Sequence, residues 1–264
     1  MWLSYPNQLF LTNLIPHKKL CYDIMDNYPY FRKIRFLKHQ LDVMHRKLID
    51  RVDLIFVSST ELYKKLKNKK NIYVIKNAVD MTLFNPFLKY DIPSELENLS
   101  RPLVGVVGYV GHWIDLEIIY RSAKIHPKWS FIVIGPIHRN INKYKVDNLY
   151  FLGEKKHSEL PKYISFFDVC IIPFIKNELT HKVNPVKMFE YLAMNKPVLA
   201  AQTEELKRYQ DYCYLYSGFK EFESYLNKLI KNPSVKKICN SFLENNSWKK
   251  RGKTISTIIS KYAK

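Results

Sequence analysis

Beyond about residue 102 the chain alternates two patterns: short, uninterrupted apolar runs, and longer stretches in which apolar positions recur every three to four residues. The apolar runs are LVGVVGY (103–109), SFIVIG (130–135), NLYFLG (148–153), DVCIIPF (168–174), PVLAA (197–201) and YCYLYS (212–217). Runs without polar alternation are the pattern of strands buried on both faces, and several end in Gly or Pro, where a chain turns over a sheet edge. Helices are predicted between them, over about 115–125 and 158–167 and from 185 onward. Strands alternating with helices give right-handed crossovers and a mostly parallel, doubly wound α/β sheet.

The first part repeats the theme more briefly. MWLSY (1–5), KLCYD (19–23), DLIFVSS (53–59) and NIYVIKN (71–77) predict strands, with helices near 30–50 and 60–68. About four strands is fewer than the roughly six of a complete doubly wound domain, so this first unit is expected to be incomplete. Residues 85–101 are polar and contain Pro, which predicts a linker, assigned to 91–101. Three helical segments follow residue 217. The expected organisation is a first Rossmann-like unit over 1–90, a second over 102–218, and a helical tail over 219–264.

The stretch NPVKMFEYLAMNKPVLA (184–200) carries the clearest candidate chemistry. Asn184 predicts an N-cap and Pro185 the first helical position, where a missing N–H has no partner to lose. The helix then starts at the carboxyl end of a buried parallel strand. Open α/β sheets bind ligands there, and free N–H groups and the helix dipole favour an anion. Lys187 adds a mobile cation. Glu190 shares its face one turn deeper, where a carboxylate can accept hydrogen bonds from a diol. Lys and Glu at this spacing also form ordinary solvated ion pairs worth about a few tenths of a kcal/mol, so geometry alone leaves both readings open.

At 264 residues with 47% hydrophobic content, the chain has enough apolar matter to bury a core and is not disordered. Its formal net charge of +19 favours anionic partners: nucleotide phosphates, anionic lipid surfaces or nucleic acid. The lysines are scattered through helices and loops, and no zinc-finger, RNP or helix-turn-helix pattern occurs, which argues against nucleic acid. Cys21, Cys170, Cys213 and Cys239 lie far apart, the first three in apolar runs, and read as small buried hydrophobes in a reducing compartment. No CxxC pair or His cluster has metal-ligand spacing. MWLSYPNQLFLTNLIPHKK lacks a basic n-region and a long apolar core, and no segment reaches the roughly 18 to 20 apolar residues of a membrane span. The expected location is the cytoplasm. The basic surplus and the many Tyr and Trp are compatible with peripheral contact at an anionic inner membrane face.

Several motifs in series resemble one family. YDIMDNYPYF (22–31), VDLIFVSS (52–59), NAVDMTLF (77–84), GYVGHWIDLEII (108–119), FIVIGP (131–136), NLYFLGEKKHSELPKYISFFDVCIIPF (148–174) and NELTHKVNPVKMFEYLAMNKPVLA (177–200) are similar to consecutive motifs of GT-B glycosyltransferases of the group 1 type. The resemblance covers most of residues 20–217. It implies an acceptor-side first unit and a donor-binding second unit. The nucleotide-sugar is a co-substrate, and no other cofactor and no metal is implied. The reaction it implies is transfer of a sugar from a nucleotide diphosphate, most readily UDP, to a saccharide or lipid-linked acceptor in cell-surface polysaccharide or glycolipid synthesis.

Carried over by position, the resemblance makes Lys187 the contact to the donor diphosphate, helped by the N–H groups of Val186 and Lys187. Glu190 matches the second Glu of the family's two-Glu motif, which holds the nucleotide ribose. The first Glu of that motif falls at Lys182, a departure. Glu178 is the candidate for contact with the donor sugar and joins Lys187 as a catalytic candidate; a solvated loop carboxylate is the other reading. Thr180 and Asn184 are candidates for phosphate or sugar contacts, or else for loop hydrogen bonding and capping. Gly108 and Gly111 flank a turn where backbone approaches the diphosphate or acceptor, or simply permit a tight turn, and Tyr109 lines the cleft. Asn77-Ala78 stands where the family has Asn-Gly. Asp23 and Asp26 are the acceptor-side carboxylates. Fixed N–H donors, the helix terminus and Lys187 would stabilise charge growing on the leaving phosphate. An intact donor half is expected, with weak or absent transfer by this chain alone. The alternative is a truncated, non-catalytic remnant that binds a nucleotide-sugar or a partner.

Overall fold

In the computed structural model, which describes residues 1–31, 35–233, 236 and 240–262, strands and helices alternate from the first residues onward. The strands are β1 (Trp2–Leu3), β2 (Cys21–Ile24), β3 (Leu54–Val57), β4 (Ile72–Val74), β5 (Leu103–Val107), β6 (Ser130–Ile134), β7 (Leu149–Gly153), β8 (Val169–Ile172), β9 (Val198–Ala201) and β10 (Tyr214–Tyr216). The α-helices are α1 (Leu11–Leu14), α2 (Arg35–Arg51), α3 (Thr60–Leu66), α4 (Ser94–Glu97), α5 (Leu116–Ile125), α6 (Leu160–Phe166), α7 (Val186–Ala193), α8 (Phe219–Lys231), α9 (Asn240–Asn245) and α10 (Trp248–Tyr262).

The chain forms two compact units. The first comprises 1–77, 177–184 and 248–264, and the second 78–176 and 185–247. The first is built on a parallel sheet in the order β1-β2-β3-β4. All four residues of β3 are buried because both faces of the sheet are covered. Ile55 and Val57 point into a core with Tyr22, Leu48 and Leu62, while Leu54 and Phe56 on the other face meet Ile255, Ile258, Ile259 and Tyr262. Those four residues fall on one face of α10, the spacing a helix needs to lie on a sheet.

The second unit carries a six-stranded parallel sheet in the order β7-β6-β5-β8-β9-β10. Its strand order reverses between β5 and β8, the arrangement that opens a ligand crevice beyond the carboxyl ends of those strands. Alternate residues of β5 and β6 feed two cores. Val107, Ile132 and Ile134 pack with Met188, Phe189 and Leu192 of α7, and Val104, Val106, Phe131 and Val133 pack with residues of α5 and α8.

The unit boundaries differ from the expected ones. Val79 pairs with Ser247, and Phe84 and Leu96 are buried in the second core, so 78–101 belongs with the second unit and the segment taken for a linker carries α4. The tail divides as well: α8 and α9 stay with the second unit and α10 packs on the first sheet. The first unit has the four strands expected. Cys21, Cys170 and Cys213 are buried free thiols, and burial pushes Cys213 up to about 12; Cys239 lies outside the described residues. No helix among the described residues is long and apolar enough to cross a membrane.

Candidate functional site

At the switch point β5 and β8 pair only through Val104–Val169 and Gly105–Cys170 and then separate. Beyond the last pair the Val107 N–H would be left without a partner inside the core. It donates instead to the hydroxyl of Tyr191, at 2.7 Å, and that residue is fully buried on α7. The bond fixes α7 against the end of β5, so the helix terminus stands at the mouth of the crevice. The N–H groups of Val186 and Lys187 lie in the first turn, before any intrahelical acceptor is available.

Glu190 is 1% exposed. Its Oε1 accepts from Nε2 of His157 at 3.0 Å, and Lys187 Nζ lies 2.8 Å from Oε2. That ion pair is close but badly angled for a hydrogen bond, and no donor among the described residues is aligned on Oε2. Held by an ion pair alone, Oε2 keeps capacity to accept a further hydrogen bond. The Lys187 side chain, paired with Glu190, is still 25% exposed at the helix terminus.

The turn after β5 is held by neighbouring backbone. Gly108 has φ +148° and Gly135, at the end of β6, has φ +140°. A Cβ on Gly135 would stand 2.0 Å from the Gly108 carbonyl oxygen, so the two strand ends approach as closely as they do only because this position has no side chain. Gly111 has no positive φ; a Cβ there would strike the Trp113 ring. Tyr109 is 42% exposed and stacked between His138 (4.5 Å) and Trp113 (5.3 Å), an aromatic platform at the end of the sheet. The loops after β5 and β8 are stitched together by Asp115 N–H to Pro173 O (2.7 Å) and Ile175 N–H to Trp113 O (2.8 Å).

Glu178, Thr180 and Asn184 group with the first unit. Asn184 does not cap α7: the cap position is Pro185, and Oδ1 of Asn184 accepts the Asn77 N–H at 3.0 Å while its carbonyl accepts from Asn77 Nδ2. The local rule for caps was overridden by a partner 107 residues away. Ala78, in place of the expected Gly, is fully buried and not among the positive-φ positions, so no glycine conformation is needed there. Thr180 is buried and its hydroxyl accepts the Asn177 N–H at 3.0 Å, within its own loop. The Glu178 side chain is 62% exposed, 2.5 Å from Lys182 Nζ, and that cation lowers its pKa. After β2, burial raises Asp26 to about 7 and Asp23 to about 6, the latter held back by the Trp2 indole N–H. His157 and Tyr191 had no local signal in the sequence, since each is defined by a partner in another element.

No family model matches this chain. A search of curated proteins finds the "Putative teichuronic acid biosynthesis glycosyltransferase TuaH" of Bacillus subtilis, 25% identical over 235 residues. The match takes in 82% of this chain and 59% of that protein, so the chain spans less than two thirds of its relative. Among solved structures, Anabaena Alr3699/HepE in complex with UDP and glucose superposes with a TM-score of 0.76 at 15% identity, over 98% of this chain and 78% of that one. The lipopolysaccharide outer core galactosyltransferase WaaB gives 0.62 at 12% identity, over 99% of this chain and 75% of that one. The chain has the GT-B glycosyltransferase fold.

Proposed function

We propose that this chain is a glycosyltransferase that takes a sugar from a nucleotide diphosphate donor, with UDP as the nucleotide, and passes it to a saccharide or lipid-linked acceptor. The observation that carries this reading is Glu190, a buried carboxylate with one oxygen lacking an aligned donor, beside Lys187 at the terminus of α7. The ribose diol would donate to Glu190. The diphosphate would lie against the N–H groups of Val186 and Lys187 and the Lys187 ammonium, close to the backbone turn at Gly108 and Gly111, with Tyr109 as a flat surface for sugar or acceptor. The likeness to the putative glycosyltransferase TuaH supports the reaction class, and that to HepE, solved with UDP, supports the nucleotide.

The difficult step in such a transfer is charge separation: the anomeric carbon becomes cationic as negative charge builds on the departing phosphate. Donors fixed before the reaction stabilise that charge without reorganising, and removing one typically costs about 10²–10³ in rate. Lys187 and the α7 terminus supply them here. Glu178 is assigned to the donor sugar. Thr180 and Asn184 act through the shape of the loop that carries it. On the acceptor side, Asp26 titrating at about 7 is suited to accept the proton of an attacking hydroxyl. The setting is the cytoplasm, with the acceptor presented at the inner face of the membrane.

The test is UDP release from UDP-sugars with and without a membrane extract as acceptor source, on the wild type and on Lys187→Ala. Acceptor-dependent release that falls by about 10²-fold in the variant supports transfer. UDP binding without release would instead favour a non-catalytic donor-binding protein, a reading for which Lys182 at the place of the motif's first Glu is the specific observation.

A further inference from the structure

The first unit contains a cleft of about 630 Å³ lined by residues of α2 and α3 and of the segment after β2, among them Asn27, Tyr30, Lys38, Arg46 and Lys65. Three ammonium groups surround the one phenol ring in it. Lys38 Nζ lies 4.0 Å from the Tyr30 ring centre, Lys65 Nζ 5.4 Å and Lys182 Nζ 5.7 Å. One aromatic face cannot neutralise three cations. Nearby acids do little more: Asp42 is taken by Arg46 at 2.6 Å, and Glu178, which pairs with Lys182, is mostly in solvent. Lys65 donates to a neutral acceptor, Oδ1 of Asn27, at 3.3 Å.

The crowding is built in. Asn27 is buried, and while its Oδ1 takes Lys65, its Nδ2 donates to the Glu178 carbonyl at 3.2 Å. That side chain therefore holds the loop bearing Lys182 against the helix bearing Lys65. Burial, and then the charge of Lys182, lower the Lys65 pKa, and the opposing pull of Glu178 and Asp42 does not offset them.

We propose that this cleft binds a phosphate ester, with Lys38, Lys65 and Lys182 as its cations, and that the acceptor of the proposed transfer is therefore a phosphorylated molecule. Convergent ammonium groups match a group carrying two or more negative charges better than a single carboxylate. The volume falls within the range of ordinary small-molecule sites and leaves room for a sugar beside the phosphate. The proposal gives Lys182 a reason: a Glu at this place would pair with Lys65 and cancel the charge that draws the phosphate. It rests on the reading of the first unit as the acceptor side.

The experiment uses the full chain and two probes. One is sodium pyrophosphate, followed by calorimetry; the other is phosphatidylcholine vesicles doped with phosphatidic acid, compared by flotation with vesicles of equal charge made with phosphatidylserine. The variants are Lys38→Gln/Lys65→Gln/Lys182→Gln and, in case the triple variant does not fold, the single Lys182→Glu. Pyrophosphate is titrated with the donor site saturated by UDP, and its binding, or that of phosphatidic acid vesicles, should weaken at least about tenfold in the triple variant and in Lys182→Glu. Pyrophosphate binding then points to a soluble ester, and binding to phosphatidic acid vesicles alone to a lipid phosphate. The proposal is overturned if, with UDP saturating, the wild type binds neither probe, or if the variants bind as the wild type does. UDP affinity, measured in parallel, reports on the donor reading separately and is expected to be unchanged in the triple variant.

Discussion

In the proposed function Lys187 and Glu190 divide a nucleotide between them, so their substitutions should separate by ligand. Lys187→Ala removes a cation from the diphosphate, whereas Glu190→Gln removes the charge from an acceptor for the ribose. A hydrogen bond to a charged group contributes about 1.5–3 kcal/mol, or roughly 10- to 150-fold in dissociation constant. The two residues also pair with each other at 2.8 Å. Lys187→Ala leaves Glu190 with His157 as its remaining partner at 3.0 Å, and because the lysine is partly exposed the stability cost is set toward about 1–2 kcal/mol. Calorimetric titration with UDP and with uridine reads both effects. Lys187→Ala should weaken UDP about 10- to 100-fold and leave uridine within about twofold, while Glu190→Gln should weaken both by a similar factor. The double variant should lose less than the product of the two factors, because the residues are in contact. Equal loss of uridine and UDP in Lys187→Ala, or no loss of either in Glu190→Gln, would refute this division of roles.

Three further outcomes follow from the packing and the titrations. Gly135→Ala should lower stability by roughly 2–4 kcal/mol, because its Cβ would meet the Gly108 carbonyl at 2.0 Å on a backbone with φ +140°; a melting temperature like the wild type's would contradict that close approach. Tyr191→Phe should cost about 1–3 kcal/mol by leaving the buried Val107 N–H without an acceptor, read by urea denaturation as a lower midpoint at unchanged slope. Asp26, raised by burial from 3.8 to about 7, holds its proton more tightly folded than unfolded, so its contribution to stability is lost as pH rises from about 4 through about 7. Asp26→Asn should therefore gain melting temperature over the wild type at pH above about 7 and little below about 4, and identical pH profiles would count against the burial of this carboxylate.

The second sheet was legible because strands buried on both faces leave continuous apolar runs, as at 103–107, 130–134 and 169–172. The helix after β8 was legible from its apolar spacing, and Lys187 and Glu190 lie on it as the pattern required. What the sequence hid was long-range. Residues 85–101 read as a linker, and 78–90 as part of the first unit, because the attachment of 78–101 to the second unit depends on a few side chains, Val79, Phe84 and Leu96, among polar neighbours. The stripe of Ile255, Ile258, Ile259 and Tyr262 lies in a Lys-rich segment, and its partners, Leu54, Phe56 and Tyr73, come from the other end of the chain. Asn184 follows the rule for a cap and serves Asn77 instead. Lys182 was visible as a departure from the two-Glu motif, but its neighbours Lys65 and Tyr30 were not.

The central claim is a uridine diphosphate site at the terminus of α7. A thermal-shift titration of the 264-residue chain with UDP, GDP, ADP and CMP, run beside Lys187→Ala, tests it most directly. UDP at about one hundred times its dissociation constant should add about 2.7 kcal/mol, a rise of a few degrees in melting temperature, selective over the other nucleotides and lost in the variant. A folded wild-type chain whose melting none of the four nucleotides moves, or one stabilised equally well after Lys187→Ala, would contradict it.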